Sequence, residues 1–286
     1  MPKLLFKPFL IAGKKISMLT LGIILSSLML LTALFAPLIE PHDPVKMTLA
    51  DKFIAPNALH IFGTDNMGRD VFSRVVEGSR VSLASAFIVV LISGIFGLLA
   101  GMVSGFAGGA VDMVFMRAVD VLLAFPTIVF ALAISTVLGM GPMNLIIAIC
   151  CIHWTVYARI TRGEVIILKN VEYIDAAWAI GNRGIQIIFK YFLPNIVSKI
   201  VIMMSLNIGG IILYCSALSF LGIGAQPPSP DWGAMISEGK EYMRYAPWMA
   251  FFPGLAIAVS ALAFNMLGDG IRDILDPRMR DAANIE

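Results

Sequence analysis

Charge is scarce in this sequence. Asp, Glu, Lys and Arg make up 14% of its 286 residues, where soluble domains average about 25%. Hydrophobic residues reach 58%, which excludes an ordinary soluble domain. The net charge of +2 is too small to point to nucleic acid. Cysteine is rare as well. Cys150, Cys151 and Cys215 all lie in apolar runs, and no Cys/His spacing fits a disulfide framework or a structural zinc site. The G-x-x-x-x-G-K-[ST] phosphate loop is missing, since AGKKIS (12–17) lacks the upstream glycine. Neither a Ser/His/Asp set nor an H-E-x-x-H helix is present. No catalytic residue, metal ligand or bound cofactor is therefore expected in this chain.

What the chain has is apolar length. A membrane-spanning helix needs about 20 mostly apolar residues. Residues 18–39 and 81–111 are free of charge. The run 121–158 is too long for one span, and GMGPMN (Gly139 to Asn144) divides it into two helices. A fifth span starts near residue 200 and ends near Leu221, and 245–268 forms a sixth. The sequence thus predicts an all-α, multi-pass protein with six transmembrane helices. The first run is longer than a signal-peptide core and reads as a retained span.

Orientation follows from Lys and Arg. With the N-terminus inside, fourteen of the 21 fall in inner segments and seven in outer ones. Both termini are then cytoplasmic. The expected organisation is a cytoplasmic N-terminus 1–17, a first span 18–39, an external loop 40–80 and a core region 81–286 with the remaining five spans. That core contains an inner loop 159–199 and a cytoplasmic tail 269–286.

The inner loop holds a short amphipathic helix, with Ile174, Ala177 and Trp178 on one face and Glu172, Asp175 and Ala176 elsewhere. Gly181 stops it, and Pro194 precedes the fifth span. The segment DAAWAIGNRGIQIIFKYFLP resembles the EAA motif of ATP-binding-cassette importer permeases: E-A-A, three residues, G, nine residues, I-x-L-P. Asp175, Ala176 and Ala177 take the E-A-A places, Gly181 the glycine and Leu193-Pro194 the ending. Asp175 replaces Glu, and Tyr191 sits where Ile is usual. GTDNMGRDVFSR, MRAVDVLLAFP, LSFLGIGAQPPSPDWGAMISEG and AFNMLGDGIRDILDPR are similar to the branch that imports dipeptides, oligopeptides and nickel.

The resemblance implies a division of labour. Glu172, Asp175, Ala176, Ala177, Trp178 and Gly181 would form the coupling helix that docks on a cytosolic ATPase. ATP and Mg would sit on one or two kinds of separate ATP-binding subunit. A sister permease would complete a heterodimer, and an external substrate-binding protein would supply cargo. The location would be a bacterial-type inner membrane, with lipid around the spans. Cargo stays open between short peptides and nickel or a nickel chelate. HWTVYAR (His153 to Arg159) looks slightly more like the nickel-type members. The alternative is an ion-driven secondary transporter, for which neither an internal repeat nor a midplane acid is visible.

Polar residues in spans are costly and usually face the bundle interior. His153, Asn207 and Asn265 are the candidates for a translocation pathway, with hydrogen-bonded packing as the alternative. Asp120 is expected to pair with Arg117 at i, i+3. Gly97, Gly101 and Gly105 form a small-residue stripe suited to close helix packing.

The outer stretch FGTDNMGRDVFSR (62–74) concentrates Asp65, Arg69, Asp70 and Arg74. It has no phosphate-loop lysine, and Asp65-Asn66-Met67-Gly68 breaks the ligand alternation of an EF-hand. A short external interfacial helix is expected, capped by Thr64 or Asp65, with an Asp70–Arg74 pair on its wet face. Asp231 and Trp232 lie in the second outer loop. These six residues are the candidates for an external gate, a brace or a docking site for the binding protein.

Overall fold

The computed structural model describes residues 9–11, 14–16 and 18–275. The rest of the N-terminal segment and residues 276–286, including Asp276 and Arg278 of the expected tail, lie outside the described residues. A small antiparallel pair, β1 (Phe9–Ile11) and β2 (Lys14–Ile16), precedes the helices, with Phe9 opposite Ile16. Everything else regular among the described residues is helical.

The helices are α1 (Met18–Leu34), α2 (Ala36–Ile39), α3 (Val71–Ala107), α4 (Gly109–Leu123), α5 (Thr127–Leu138) and α6 (Pro142–Lys169). They continue with α7 (Glu172–Ala179), α8 (Gly184–Ile187), α9 (Leu193–Phe220), α10 (Trp232–Gly239) and α11 (Trp248–Leu275). A π turn, Ile188–Phe192, joins α8 to α9 just before Pro194, whose missing N–H and bulky ring disturb regular α-helical bonding. Among the described residues, four helical segments are long and apolar enough to cross a membrane: α3, α6, the α8–α9 run and α11. A fifth span arises if α4 and α5 count together, and α1 is a shorter apolar helix of 17 residues.

Three expected boundaries shift. α3 begins at Val71, not near 81, because no helix breaker follows Asp70. Its 37 residues extend about 55 Å, well beyond a hydrocarbon layer of about 30 Å. The expected separate interfacial helix is therefore the first turns of α3. Gly78 does not break it, since the position serves packing: a Cβ there would lie 3.1 Å from Cδ1 of Trp232.

The third expected span is not straight. α4 and α5 meet at 92°, because Pro126 removes an amide donor and disfavours helix at Phe125. α6 in turn runs past Ala158 to Lys169, so the inner loop begins as helix. The break at GMGPMN is observed, with Gly139 and Gly141 at positive φ and Pro142 opening α6.

Close packing relies on the glycine stripe of α3. A Cβ on Gly97 would meet the Trp154 carbonyl oxygen at 2.5 Å, and one on Gly101 the Ala158 carbonyl oxygen at 2.3 Å. Gly105 abuts Val165 in the same way. α3 and α6 thus touch backbone to backbone. α1 lies against α11 at Gly22, where an added Cβ would fall 2.6 Å from the Leu267 nitrogen. The opposite side of α1, with Ile24, Leu28 and Leu31, is exposed.

The core has two parts. One surrounds the first half of α3 and includes Leu83, Val89, Ile149, Ile211, Trp232 and Phe264. The other lies near the far end of α3 and includes Met102, Tyr157, Val165, Ile174, Ala177 and Phe192.

Candidate functional site

The segment leading into α3 is a tight loop. Thr64 N–H donates to the Ile54 carbonyl, Asp65 N–H to Arg69 and Val71 N–H to Gly63. Gly68 has φ of 73°, and a Cβ there would sit 1.8 Å from the Thr48 carbonyl oxygen, so only glycine fits. The Asp65 carboxylate accepts N–H bonds from Met67 at 2.7 Å and Arg69 at 3.0 Å. It also receives Nε of Arg69 at 2.6 Å and lies 3.4 Å from Nη1 of Arg74. Glu238, from α10, meets the same two arginines: Arg69 Nη2 at 2.9 Å and Arg74 Nη2 at 3.3 Å.

Two guanidinium groups and two carboxylates therefore form a closed square. Arg69 and Arg74 are 2% and 1% exposed. Such a buried set is stable as a whole, whereas removal of one member leaves an uncompensated charge.

This arrangement corrects the expected wet face, since Asp65, Arg69, Asp70 and Arg74 are all buried. Asp70 does not pair with Arg74. It is the N-cap of α3, with Oδ2 accepting from Ser73 N–H and Ser73 Oγ–H, each at 2.8 Å. Capping occupies Oδ2, while Oδ1 lies 2.9 Å from His60 Nδ1. The expected caps, Thr64 and Asp65, instead organise the loop before the helix.

Asp231 and Trp232 are buried too. Asp231 caps α10 through the N–H groups of Gly233 and Ala234. Burial pushes its carboxyl up, against the hydrogen bonds from Ala234, Ser219, Gly233 and Ser82. The Trp232 indole N–H donates to the Val75 carbonyl at 2.8 Å, locking α10 across α3. The Trp248 indole N–H donates to Thr64 at 3.0 Å and so ties the start of α11 to the same loop. These contacts make a brace. Asp231 and Trp232 present no free surface in this chain.

At the other end of α3, α7 matches the expected short helix. Its residues divide in a way that differs from the sequence reading. Ile174 and Ala177 turn inward, while Trp178 is 47% exposed. Glu172, Asp175 and Ala176 are exposed alongside Tyr173 and Ile180. Ile174 and Ala177 pack with Met102, Tyr157 and Phe192, and Trp178 lies outside that cluster.

Gly181 adopts φ of 84°. Asn182 N–H reaches the Ala177 carbonyl at 3.2 Å and Gly181 N–H the Trp178 carbonyl at 3.0 Å. That pair of bonds is a Schellman stop, which needs a left-handed residue at Gly181.

His153 and Asn207 both meet Tyr157, while no direct hydrogen bond among the described residues joins His153, Asn207 and Asn265. His153 is buried on α6, packs edge-on against Tyr157 with ring centroids 5.6 Å apart, and leaves Nε2 without a partner. Asn207 donates to the Met203 carbonyl one turn back at 2.9 Å. Asn265 is exposed, with its Oδ1 2.2 Å from where a Cβ on Gly209 would stand, so it marks a close α9–α11 crossing.

With this geometry in place, residues 97–281 match the family described as the binding-protein-dependent transport system inner membrane component. The chain belongs to this family. A dipeptide transport system permease protein, DppC, of Alkalihalophilus pseudofirmus is 41% identical over 93% of this chain and 88% of its own length. A glutathione transport system permease protein, GsiD, of Pectobacterium atrosepticum is 41% identical over 88% of this chain and 84% of its own. A probable D,D-dipeptide transport system permease protein, DdpC, of Escherichia coli K12 is 40% identical over the same shares.

The matched part of this inner membrane component contains α7 and Glu238, while Asp65, Arg69 and Arg74 precede it. Sequence reasoning missed three features. Glu238 lies 164 positions from Arg74, and no local pattern joins them. Asp112 forms a two-pronged pair with Arg162, Nε to Oδ1 at 2.9 Å and Nη2 to Oδ2 at 2.6 Å, and also accepts from Ser104 Oγ at 2.6 Å. Asp120 pairs with Arg159 of α6 at 2.5 Å, not with Arg117 on its own helix. The two α4–α6 pairs fasten the bent segment to α6.

Proposed function

We propose that the chain is a permease subunit of an ATP-binding-cassette importer for short peptides. The carrying observation is α7: its inner face is anchored by Ile174 and Ala177, and its outer face offers Trp178, Asp175 and Ala176. A rigidly held aromatic beside small and acidic residues suits a docking contact with an ATPase subunit. ATP and Mg belong to that partner. A sister permease completes the pore, and an external binding protein delivers cargo. The names of the relatives, dipeptide and glutathione permeases, favour peptide over nickel.

In this reading α1, α3, the α4–α5 pair, α6, the α8–α9 run and α11 make six spans. The Lys and Arg bias places both termini in the cytoplasm of a bacterial cell. The square of Asp65, Arg69, Arg74 and Glu238 then braces the outer mouth, and α7 faces the cytosol.

The test is uptake of a labelled dipeptide or tripeptide into proteoliposomes holding all subunits. ATP should drive it, and Trp178→Ala should reduce uptake and ATPase stimulation together while the permease still assembles. Uptake that follows an ion gradient and ignores ATP would replace this reading with a secondary transporter. Uptake of Ni²⁺ in preference to peptides would change the cargo. Cysteine labelling at Trp178→Cys from the cytosolic side checks the orientation.

A further inference from the structure

The long connection before α3 contains two of the three histidines of the chain, His42 and His60. Both converge on the carboxylate that caps α3. His60 Nδ1 lies 2.9 Å from Asp70 Oδ1, and His42 Nδ1 lies 3.8 Å from the same oxygen. The two imidazole centroids are 4.8 Å apart. One donor atom from each of the three residues falls within 4.8 Å of the others. They are separated by 18 and 10 positions in the chain, a spacing that matches no ligand motif, so only the fold assembles them.

Three details distinguish this trio from a simple His–Asp hydrogen bond. First, His42 Nδ1 is shut off from solvent and has no hydrogen-bond partner, although the rest of the ring is partly exposed. A buried nitrogen without a partner is costly, and a metal would satisfy it. Second, Asp70 is held by its other oxygen. Ser73 N–H and Oγ–H both bond Oδ2, which aims Oδ1 at the histidines. Outer-shell hydrogen bonds of this kind orient metal ligands. Third, the trio borders a cavity of about 390 Å³ also lined by Asp43, Asp51 and Lys46. It has room for water to complete the coordination.

We infer that His42, His60 and Asp70 form a binding site for one divalent transition-metal ion of the zinc type. Two imidazoles and one carboxylate suit Zn²⁺ and its neighbours better than Ca²⁺ or Mg²⁺, which prefer all-oxygen shells. Bonds of about 2.0–2.1 Å around a tetrahedral ion set donors about 3.3 Å apart. The trio brackets that spacing. His60 must back away slightly from Asp70, and His42 must approach. The proton on His60 Nδ1 or His42 Nδ1, where present, leaves to solvent on binding. The bound ion clips the two arms of the 40–70 connection to the first turn of α3. This site is separate from cargo recognition and holds whatever the transported molecule.

The test uses the full-length chain in lipid nanodiscs, purified without an oligohistidine tag and stripped with a chelator. Zn²⁺ alone is titrated, and bound metal is counted by mass spectrometry. Co²⁺ provides a visible spectrum that reports coordination. One Zn²⁺ per chain is expected, with affinity falling at least about tenfold in His42→Gln, His60→Gln and Asp70→Asn. Asp70→Asn keeps a good helix cap, and His42→Gln changes a partly exposed ring, so at least these two should fold. Zn²⁺ should raise the thermal midpoint of the wild type and leave that of His42→Gln unchanged. Equal binding by the wild type and all three variants would overturn the site. So would no uptake of Zn²⁺ at about 100 μM, about −5.5 kcal/mol of affinity or weaker.

Discussion

Arg74→Met removes one corner of the buried square. The side chain is 1% exposed, and methionine roughly fills the volume of its stem. What remains is Arg69 facing both Asp65 and Glu238, at 2.6 and 2.9 Å. Two carboxylates then share one guanidinium, which leaves an uncompensated negative charge. Breaking a buried pair in this way costs about 3–5 kcal/mol. Glu238 retains 22% side-chain exposure, so water relieves part of the charge and the lower end of that range applies. For a chain of this length each kcal/mol lowers the melting midpoint by roughly 2 °C or more, so a fall of at least about 6 °C is expected.

Arg74→Met combined with Glu238→Met leaves the single pair Arg69–Asp65. Its loss should be smaller than the sum of the two single losses by about 2 kcal/mol. Thermal unfolding of the purified chain in one lipid composition, followed by tryptophan fluorescence, measures all four corners of the cycle. Strict additivity, or a fall below about 2 °C for Arg74→Met, would refute the square as a stability element. The charge reversal Asp70→Lys with Arg74→Glu is expected to fail as a rescue, because those residues do not meet and Asp70 is needed as a cap.

Gly101→Ala should destabilise by about 1–3 kcal/mol through overpacking, because the added carbon meets the Ala158 backbone oxygen at 2.3 Å. Gly210→Ala, with no atom within 4 Å of its Cβ, is the neutral control in the same melting assay. At Gly181 the added carbon meets nothing within 4 Å, so the cost comes from φ of 84° alone. Gly181→Asn should therefore be milder than Gly181→Ala, at about 1–2 kcal/mol, and Gly181→Val the worst, with ATP-driven uptake falling in that order. Glu40 has its carboxyl pushed up to about 7 by burial and then by Glu77, against Arg80. A raised carboxyl contributes stability below its ordinary value of 4.5 and loses it as pH rises through about 7. Glu40→Gln should flatten that part of the melting profile between pH 4.5 and 7.

The membrane character, the break before Pro142, the glycine stripe and the ends of α7 were all legible in sequence. Each rests on local chemistry: apolar length, a proline, small residues at spacing four, a glycine stop. The extent of α3 was misread because its first turns hold Arg74, Glu77 and Arg80, and charge was taken as a span boundary. The roles of Asp65, Arg69 and Arg74 were hidden for a related reason. Their partner Glu238 comes from α10, and burial of charge depends on that distant partner. The α4–α5 corner had its signal in Pro126, which the apolar run around it outweighed. Periodicity put Trp178 on one apolar face with Ile174 and Ala177, whereas in the fold those two are buried and Trp178 stays exposed.

α3 carries glycine in its interior but no proline, and it is one unbroken helix from the square of charges to the contacts beneath α7. A rod about 55 Å long turns small angles into large displacements. If its Asp70 end is held by Glu238, Trp232 and Thr64, a tilt of about 5° carries the Ala107 end sideways by about 5 Å, close to one helical turn. α6 is keyed to that rod at three glycines and must travel with it. A push on α7 would therefore swing the Ala107 end of α3, and α6 with it, about the fixed Asp70 end, with no need for a chain of rearranging side chains in between.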